Sequence, residues 1–337
     1  MLPRSTLNIS SSQITNLHSL SSPSNSIISS TKMSSMVEIK KTFDRRSERV
    51  KSVDVHPTEP WVLLGLYSGN VCIWNYHSQV VEKTFEIVKT PVRTSKFIAH
   101  KEWIVVGTDD GFIRVYNYNT MERVVEIKAH DDFLRSVVVH PSHPYILSAS
   151  DDKLIKLWDW EKNWECVQTF QGHDHYVMQI AFNPRDANVF ASASLDCTVK
   201  TWNLGHLNQR SSIEGHLQGV NSVEFFNTDE KLYLITGSDD NTVKVWDYET
   251  ETCVQTLEGH SHNVTSTLCV NSDVSSIITG SEDGTVRVWD AKTYNLDHVF
   301  TSELGRVWTI GFIKDSAQIV FGCDEGTIIG QVISTRA

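Results

Sequence analysis

A closed ring of seven four-stranded blades, an all-β propeller, is the fold this sequence predicts, and two observations predict it. An aromatic residue recurs after a strand-like run at Trp74, Tyr116, Trp158, Trp202, Trp246 and Trp289, with spacings of 42, 42, 44, 44 and 43 residues. A further step of similar length lands on Gly330, at the end of Gly-Thr-Ile-Ile-Gly. A period in this range marks a four-stranded blade of the WD-repeat kind. The second observation is an Asp six residues before each of these positions after the first: Asp110, Asp152, Asp196, Asp240, Asp283 and Asp324. A tight turn between two strands favours Asp there, because its side chain bonds nearby backbone amides.

The elements follow in chain order. Residues 1–36 are rich in serine, contain no Asp or Glu, and carry only Arg4 and Lys32 as charge. Such a segment cannot bury enough apolar surface to offset its ordering entropy, so it is expected to be a disordered extension. A targeting segment is the other reading of that composition. The propeller is expected over 37–337. Its first segment, Val37-Glu38-Ile39-Lys40-Lys41-Thr42-Phe43, resembles the outer strand of a blade, such as Cys166-Val167-Gln168-Thr169-Phe170. The last repeat ends one strand short near Val332. The amino-terminal strand is therefore expected to complete the last blade and remove an open edge.

The blades ending at Trp158, Trp202, Trp246 and Trp289 each carry a His, a Ser or Thr, an Asp and the Trp. The sets are His130, Ser148, Asp152, Trp158; His173, Ser192, Asp196, Trp202; His216, Thr236, Asp240, Trp246; and His260, Thr279, Asp283, Trp289. His, Ser and Asp together suggest a catalytic triad, but a triad is one constellation at one place. A set repeated four times with a Trp reads instead as a buried structural network, in which every polar group must be paired. The blades ending at Trp74, Tyr116 and Gly330 have Arg46, Val88 and Glu303 in the His slot, and are expected to be softer.

Composition narrows the function. A net charge of −11 argues against nonspecific nucleic-acid binding. No apolar run is long enough to span a bilayer as a helix. The six cysteines are scattered with no Cys-x-x-Cys pair, which points to free thiols in a reducing compartment, with no metal site and no cofactor. The expected role is a docking platform, not an enzyme.

Two columns of residues remain once the scaffold is subtracted. The start of each inner strand reads Lys51, Arg93, Arg135, Met178, Asn221, Thr265, Trp308, with Arg49 and Arg306 two residues earlier in their blades. The position before each turn Asp reads Tyr67, Asp109, Asp151, Leu195, Asp239, Glu282, Cys323, and Asp132 stands near Arg135. Cations gather in the first three blades, and spare carboxylates lie in the second, third, fifth and sixth. Both columns are expected at the mouth of the central channel. A lysine-rich peptide ending in a free carboxylate would satisfy both, because Arg holds a carboxylate bidentately and Asp holds an ammonium.

Several segments also resemble a known family. They are Arg-Val-Lys-Ser-Val-Asp-Val-His-Pro-Thr-Glu-Pro-Trp (49–61), Thr-Pro-Val-Arg-Thr-Ser-Lys-Phe (90–97), Val-Tyr-Asn-Tyr-Asn-Thr (115–120), Ser-Asp-Asp-Lys-Leu-Ile-Lys-Leu-Trp-Asp-Trp-Glu-Lys-Asn-Trp (150–164) and Gly-His-Asp-His-Tyr-Val-Met-Gln-Ile-Ala-Phe-Asn-Pro (172–184). They are similar to the first propeller of the beta-prime subunits of coatomer. The resemblance implies recognition of carboxy-terminal dilysine signals on cargo membrane proteins, in a cytoplasmic coat peripheral to Golgi and vesicle membranes. It implies other coatomer subunits as further partners. It assigns the peptide carboxylate to Arg49, Lys51 and Arg93, with Arg135 nearby, and the peptide lysines to Asp132 and Asp151, with Asp239 further out and Tyr67 beside the peptide. The chain departs from the family pattern at His100, at Cys197 and over 270–276. The alternative reading is a WD-repeat scaffold or substrate adaptor unrelated to the coat, whose ligand lies elsewhere on the ring.

Overall fold

The computed structural model describes residues 35–206, 208–228, 231–270 and 275–336. The expected extension over 1–36 lies outside these apart from its last two residues, as does 271–274 of the departing segment. The described residues form seven antiparallel sheets of four strands each. The inner strands are Val50–Val55, Val92–Ile98, Leu134–Val139, Val177–Phe182, Val220–Asn227, Val264–Val270 and Val307–Ile313. Blades are numbered one to seven in that order. The second strand of each blade is buried along nearly its whole length, as in Val189–Ser194, and a polar residue there, such as Ser192, is hydrogen-bonded inside. Small residues on these second strands let the next blade approach. A Cβ at Gly107 would collide with Leu134 of blade three.

Closure follows the expected route. Strand Ser35–Arg46 pairs antiparallel with Gly326–Arg336 and becomes the outer strand of blade seven. Gly330 occupies the slot that holds Trp in other blades, and Ile39 fills the vacated space; a Cβ at Gly330 would collide with Ile39 Cγ2. The closing strand carries an irregularity between Lys41 and Phe43. Just past it, Phe43 stacks on Trp74 of blade one with ring centroids 5.4 Å apart. The strand thus joins two blades as well as completing one.

The repeated polar set forms one chain of hydrogen bonds in each of blades three to six. In blade five, Trp246 Nε1 donates to Thr236 Oγ1 at 2.9 Å, Thr236 Oγ1 lies 2.7 Å from His216 Nε2, and His216 Nδ1 lies 2.8 Å from Asp240 Oδ2. A neutral imidazole satisfies all three contacts if Nδ1 carries the proton and Nε2 accepts from the hydroxyl. The same arrangement holds for His130 with Ser148, Asp152 and Trp158, for His173 with Ser192, Asp196 and Trp202, and for His260 with Thr279, Asp283 and Trp289. Burial would raise these Asp carboxyls, but the hydrogen bonds from His and from nearby backbone amides together outweigh it and lower them.

The other blades solve the problem differently. In blade two, Arg114 replaces the His and the indole. It donates from Nη1 to Thr108 Oγ1 at 2.8 Å, from Nη2 to Asp110 Oδ2 at 2.7 Å, and from Nε to Glu126 Oε2 at 2.8 Å. In blade one, Leu64 stands in the hydroxyl slot, and the buried Trp74 indole N–H has no hydrogen-bond partner among the described residues.

Candidate functional site

The first column lands on a backbone irregularity that recurs in every blade. Pairing between the inner strand and its neighbour shifts register around Lys51, Arg93, Arg135, Met178, Asn221, Thr265 and Trp308. An extra residue at a bulge leaves the ladder and re-aims its side chain. All seven of these residues line the central channel, whose volume is about 660 Å³. The fold thus turns one sequence position per blade into a ring around a common opening.

The two columns are joined within blades by ion pairs. Arg93 donates from Nε and Nη2 to the two carboxylate oxygens of Asp109 at 2.6 and 2.8 Å. Arg135 holds Asp151 in the same bidentate way at 2.7 and 2.5 Å. Asn221 Nδ2 donates to Asp239 Oδ1 at 2.7 Å. Burial opposes the Arg93 charge, but its bond to Asp109 and the charges of Asp109 and Asp151 together raise its pKa. Burial raises the Asp239 carboxyl, with Glu282 adding to the effect. Asp151 is therefore a buried, engaged carboxylate, whereas Asp132 is exposed. The Asp132 carboxylate accepts its neighbour Phe133's N–H, and its loop is tied to the strand that ends just before Asp151 by Ser150 Oγ donating to the Asp132 carbonyl at 3.3 Å.

Aromatic rings separate the cations. Tyr67 lies under the guanidinium carbons of Arg49 and Arg93 at 4.9 and 5.5 Å. Phe133 lies 5.7 and 5.6 Å from those of Arg93 and Arg135. Lys51 Nζ sits 3.2 Å from the centroid of the Trp308 ring. Each such contact is worth about 0.5–1 kcal/mol where exposed and more when desolvated. Burial, then the neighbouring Arg93, Arg49 and Arg135, push the Lys51 amine down to about 6.

One assignment from the sequence is corrected. Asp324 was expected in the turn, with Cys323 in the second column. The blade-seven turn is shorter than the others, pairing Cys323 directly with Gly326. Asp324 moves into the column and Cys323 into the core, fully buried beside Ser302. The amide N–H of Asp324 donates to the Arg306 carbonyl, as that of Asp239 does to Gly219. Its carboxylate accepts from Arg306 Nε and Trp308 Nε1, both at 2.9 Å. Arg49 Nε lies 2.7 Å from it but off the line of a hydrogen bond. Burial would raise the Asp324 carboxyl, but Arg306, Trp308 and Arg49 lower it.

Phe133 and Tyr176 were not singled out from the sequence. They stand in the register of Arg49 and Arg306, whose carbonyls accept the second-column amides. The signal was available as a third column two residues before the first. Among the described residues, no group of His, Cys, Asp and Glu is arranged to hold a metal ion.

Comparisons with known proteins agree with this geometry. The family "WD domain, G-beta repeat" matches residues 37–75, 121–159, 164–203, 207–247 and 251–290. Coatomer subunit beta'-2 of Oryza sativa subsp. japonica is 58% identical over 293 residues, covering 87% of this chain and 32% of the relative. Coatomer subunit beta'-1 of Arabidopsis thaliana is 59% identical with the same coverage, and coatomer subunit beta' of Macaca fascicularis is 53% identical. The chain thus spans about a third of the length of the curated relatives it matches. A seven-bladed ring with five matching repeats and this degree of identity places the chain in the WD-repeat family, among relatives of the coatomer beta' subunits.

Proposed function

We propose that the channel mouth binds the carboxy-terminal tail of a cargo membrane protein carrying a dilysine signal, as the cargo-reading propeller of a coat acting between Golgi and endoplasmic reticulum. The observation that carries this reading is Lys51. It stands among Arg49, Arg93 and Arg135, and no carboxylate of the described residues pairs with it. Each arginine faces an aspartate, and Lys51 does not. An amine without a carboxylate, set among guanidiniums, leaves a place for an anion from outside, and a peptide's terminal carboxylate fits it.

A lysine three residues before that carboxylate would reach Asp132 and the outward lone pairs of Asp151. A second lysine would reach Asp239, whose carboxylate has only the neutral Asn221 as a hydrogen-bond partner among the described residues. Charge-assisted hydrogen bonds contribute about 1.5–3 kcal/mol each, so a few give micromolar affinity. Binding and display, without chemistry, is the proposed activity. Other coatomer subunits are the proposed protein partners, and the proposed location is cytoplasmic, peripheral to Golgi and vesicle membranes through the coat.

Isothermal titration with a dilysine-tailed peptide and its amidated copy tests the reading. Amidation removes the anion and is expected to weaken binding about tenfold or more. Equal affinity for the two peptides would remove the carboxylate clamp and most of the case for cargo recognition.

A further inference from the structure

We propose that carboxylate binding at the channel mouth is coupled to the uptake of one proton by Lys51, so that the amine is neutral in the empty site and charged in the occupied one. The inference rests on the carboxylate clamp proposed above and adds how it is loaded.

Among the described residues no carboxylate pairs with Lys51, and Glu282 favours its charge only at a distance. On its own blade, Arg49 lies over Tyr67 and close to Asp324. From blade two comes Arg93, engaged with Asp109, and from blade three Arg135, engaged with Asp151. Blade seven contributes Trp308, whose ring the amine contacts, and Arg306, paired with Asp324. Blade six contributes Glu282, which is shared with Arg306 at 3.5 Å and His262 at 3.8 Å. Thus each facing carboxylate already has a cationic partner, and three guanidiniums repel a fourth charge. An arginine cannot respond to this by losing its proton, whereas a lysine can. Burial, with that repulsion added, brings the amine to about 6.

A carboxylate entering between Lys51 and Arg93 reverses the balance. An opposite charge within about 4–6 Å favours the protonated amine. Between the lowered value of the free amine and the raised value in the complex, the free site lacks the proton and the bound site holds it, so binding draws one from solvent. The sign follows by linkage: affinity is highest at low pH and falls as pH rises. The slope approaches tenfold per pH unit between the free and bound values, for one proton taken up.

The test is titration of a free-acid dilysine peptide at pH 7.5 in phosphate and in Tris, whose ionisation enthalpies differ widely. The buffer dependence of the heat gives the protons taken up. The intact protein is expected to take up about one. Lys51→Arg, permanently charged, is expected to take up none on binding. Alongside, the free protein's lysines are dimethylated with ¹³C and titrated by NMR, Lys51→Arg identifying the signal. A Lys51 midpoint near 6 supports the proposal, and one in the ordinary lysine range overturns it. Preference for the free acid over the amide with no proton uptake overturns the coupling and leaves the clamp standing. Loss of that preference overturns both.

Discussion

Asp240→Ala tests whether adjacent carboxylates divide into scaffold and site. The Asp240 Oδ2 atom accepts from His216 Nδ1 at 2.8 Å and from the Leu217 amide at 3.0 Å. Its Oδ1 accepts from the Thr242 amide at 3.0 Å and from Thr242 Oγ1 at 2.6 Å. Truncation leaves the N–H of His216, whose side chain is 1% exposed, with only the long contact to Thr242 Oγ1 at 3.5 Å among the described residues. An orphaned buried donor costs about 1–3 kcal/mol, and the lost turn bonds add to it. The expected destabilisation is about 2–4 kcal/mol. Asp239→Ala removes one bond from Asn221 and relieves a carboxylate whose ionised form burial disfavours. Its expected effect is below about 0.5 kcal/mol. Urea titration of both variants measures the difference. The pH dependence gives a second reading. The Asp240 pKa is lowered in the fold, so its contribution is present above the unfolded carboxyl value near 4 and is lost as pH falls below it. Asp240→Ala should therefore lose less stability than the parent between pH 4 and 2. Equal destabilisation by the two variants would refute the division.

Three further outcomes are expected. Asp132→Lys should abolish binding of dilysine tails in isothermal titration while the melting temperature stays unchanged, because Asp132 is exposed; Asp151→Lys would instead set a buried cation against Arg135 and confound folding with binding. Phe43→Ala should destabilise by about 2 kcal/mol, since it breaks the stack on Trp74 that ties the closing strand to blade one, and limited proteolysis should then cut that strand first. Arg114→Ala should destabilise by about 2–4 kcal/mol in a denaturant titration, because it strands Asp110 and Thr108 without their shared donor, while Glu126 keeps Arg123; a change under about 0.5 kcal/mol would mean that blade two does not depend on its substitute network.

The sequence by itself determined the blade count, the closing strand and the four polar networks. Each depends on a residue type recurring at a fixed place in a repeat. A tight turn selects Asp and a buried indole N–H selects a hydroxyl, so the pattern shows in one dimension. The two channel columns were legible for the same reason. Only the tertiary structure decided how those columns are used. The bulges that aim Lys51, Arg93 and Arg135 inward follow from pairing register, which no residue type announces. The shorter turn of blade seven moved Asp324 into the ring and Cys323 out of it. The pairing of Arg93 with Asp109 and Arg135 with Asp151, which leaves Lys51 alone, depends on distances across strands and blades. Charge in a sequence is a count, and whether it is available to a ligand depends on which neighbours the fold has already placed within reach.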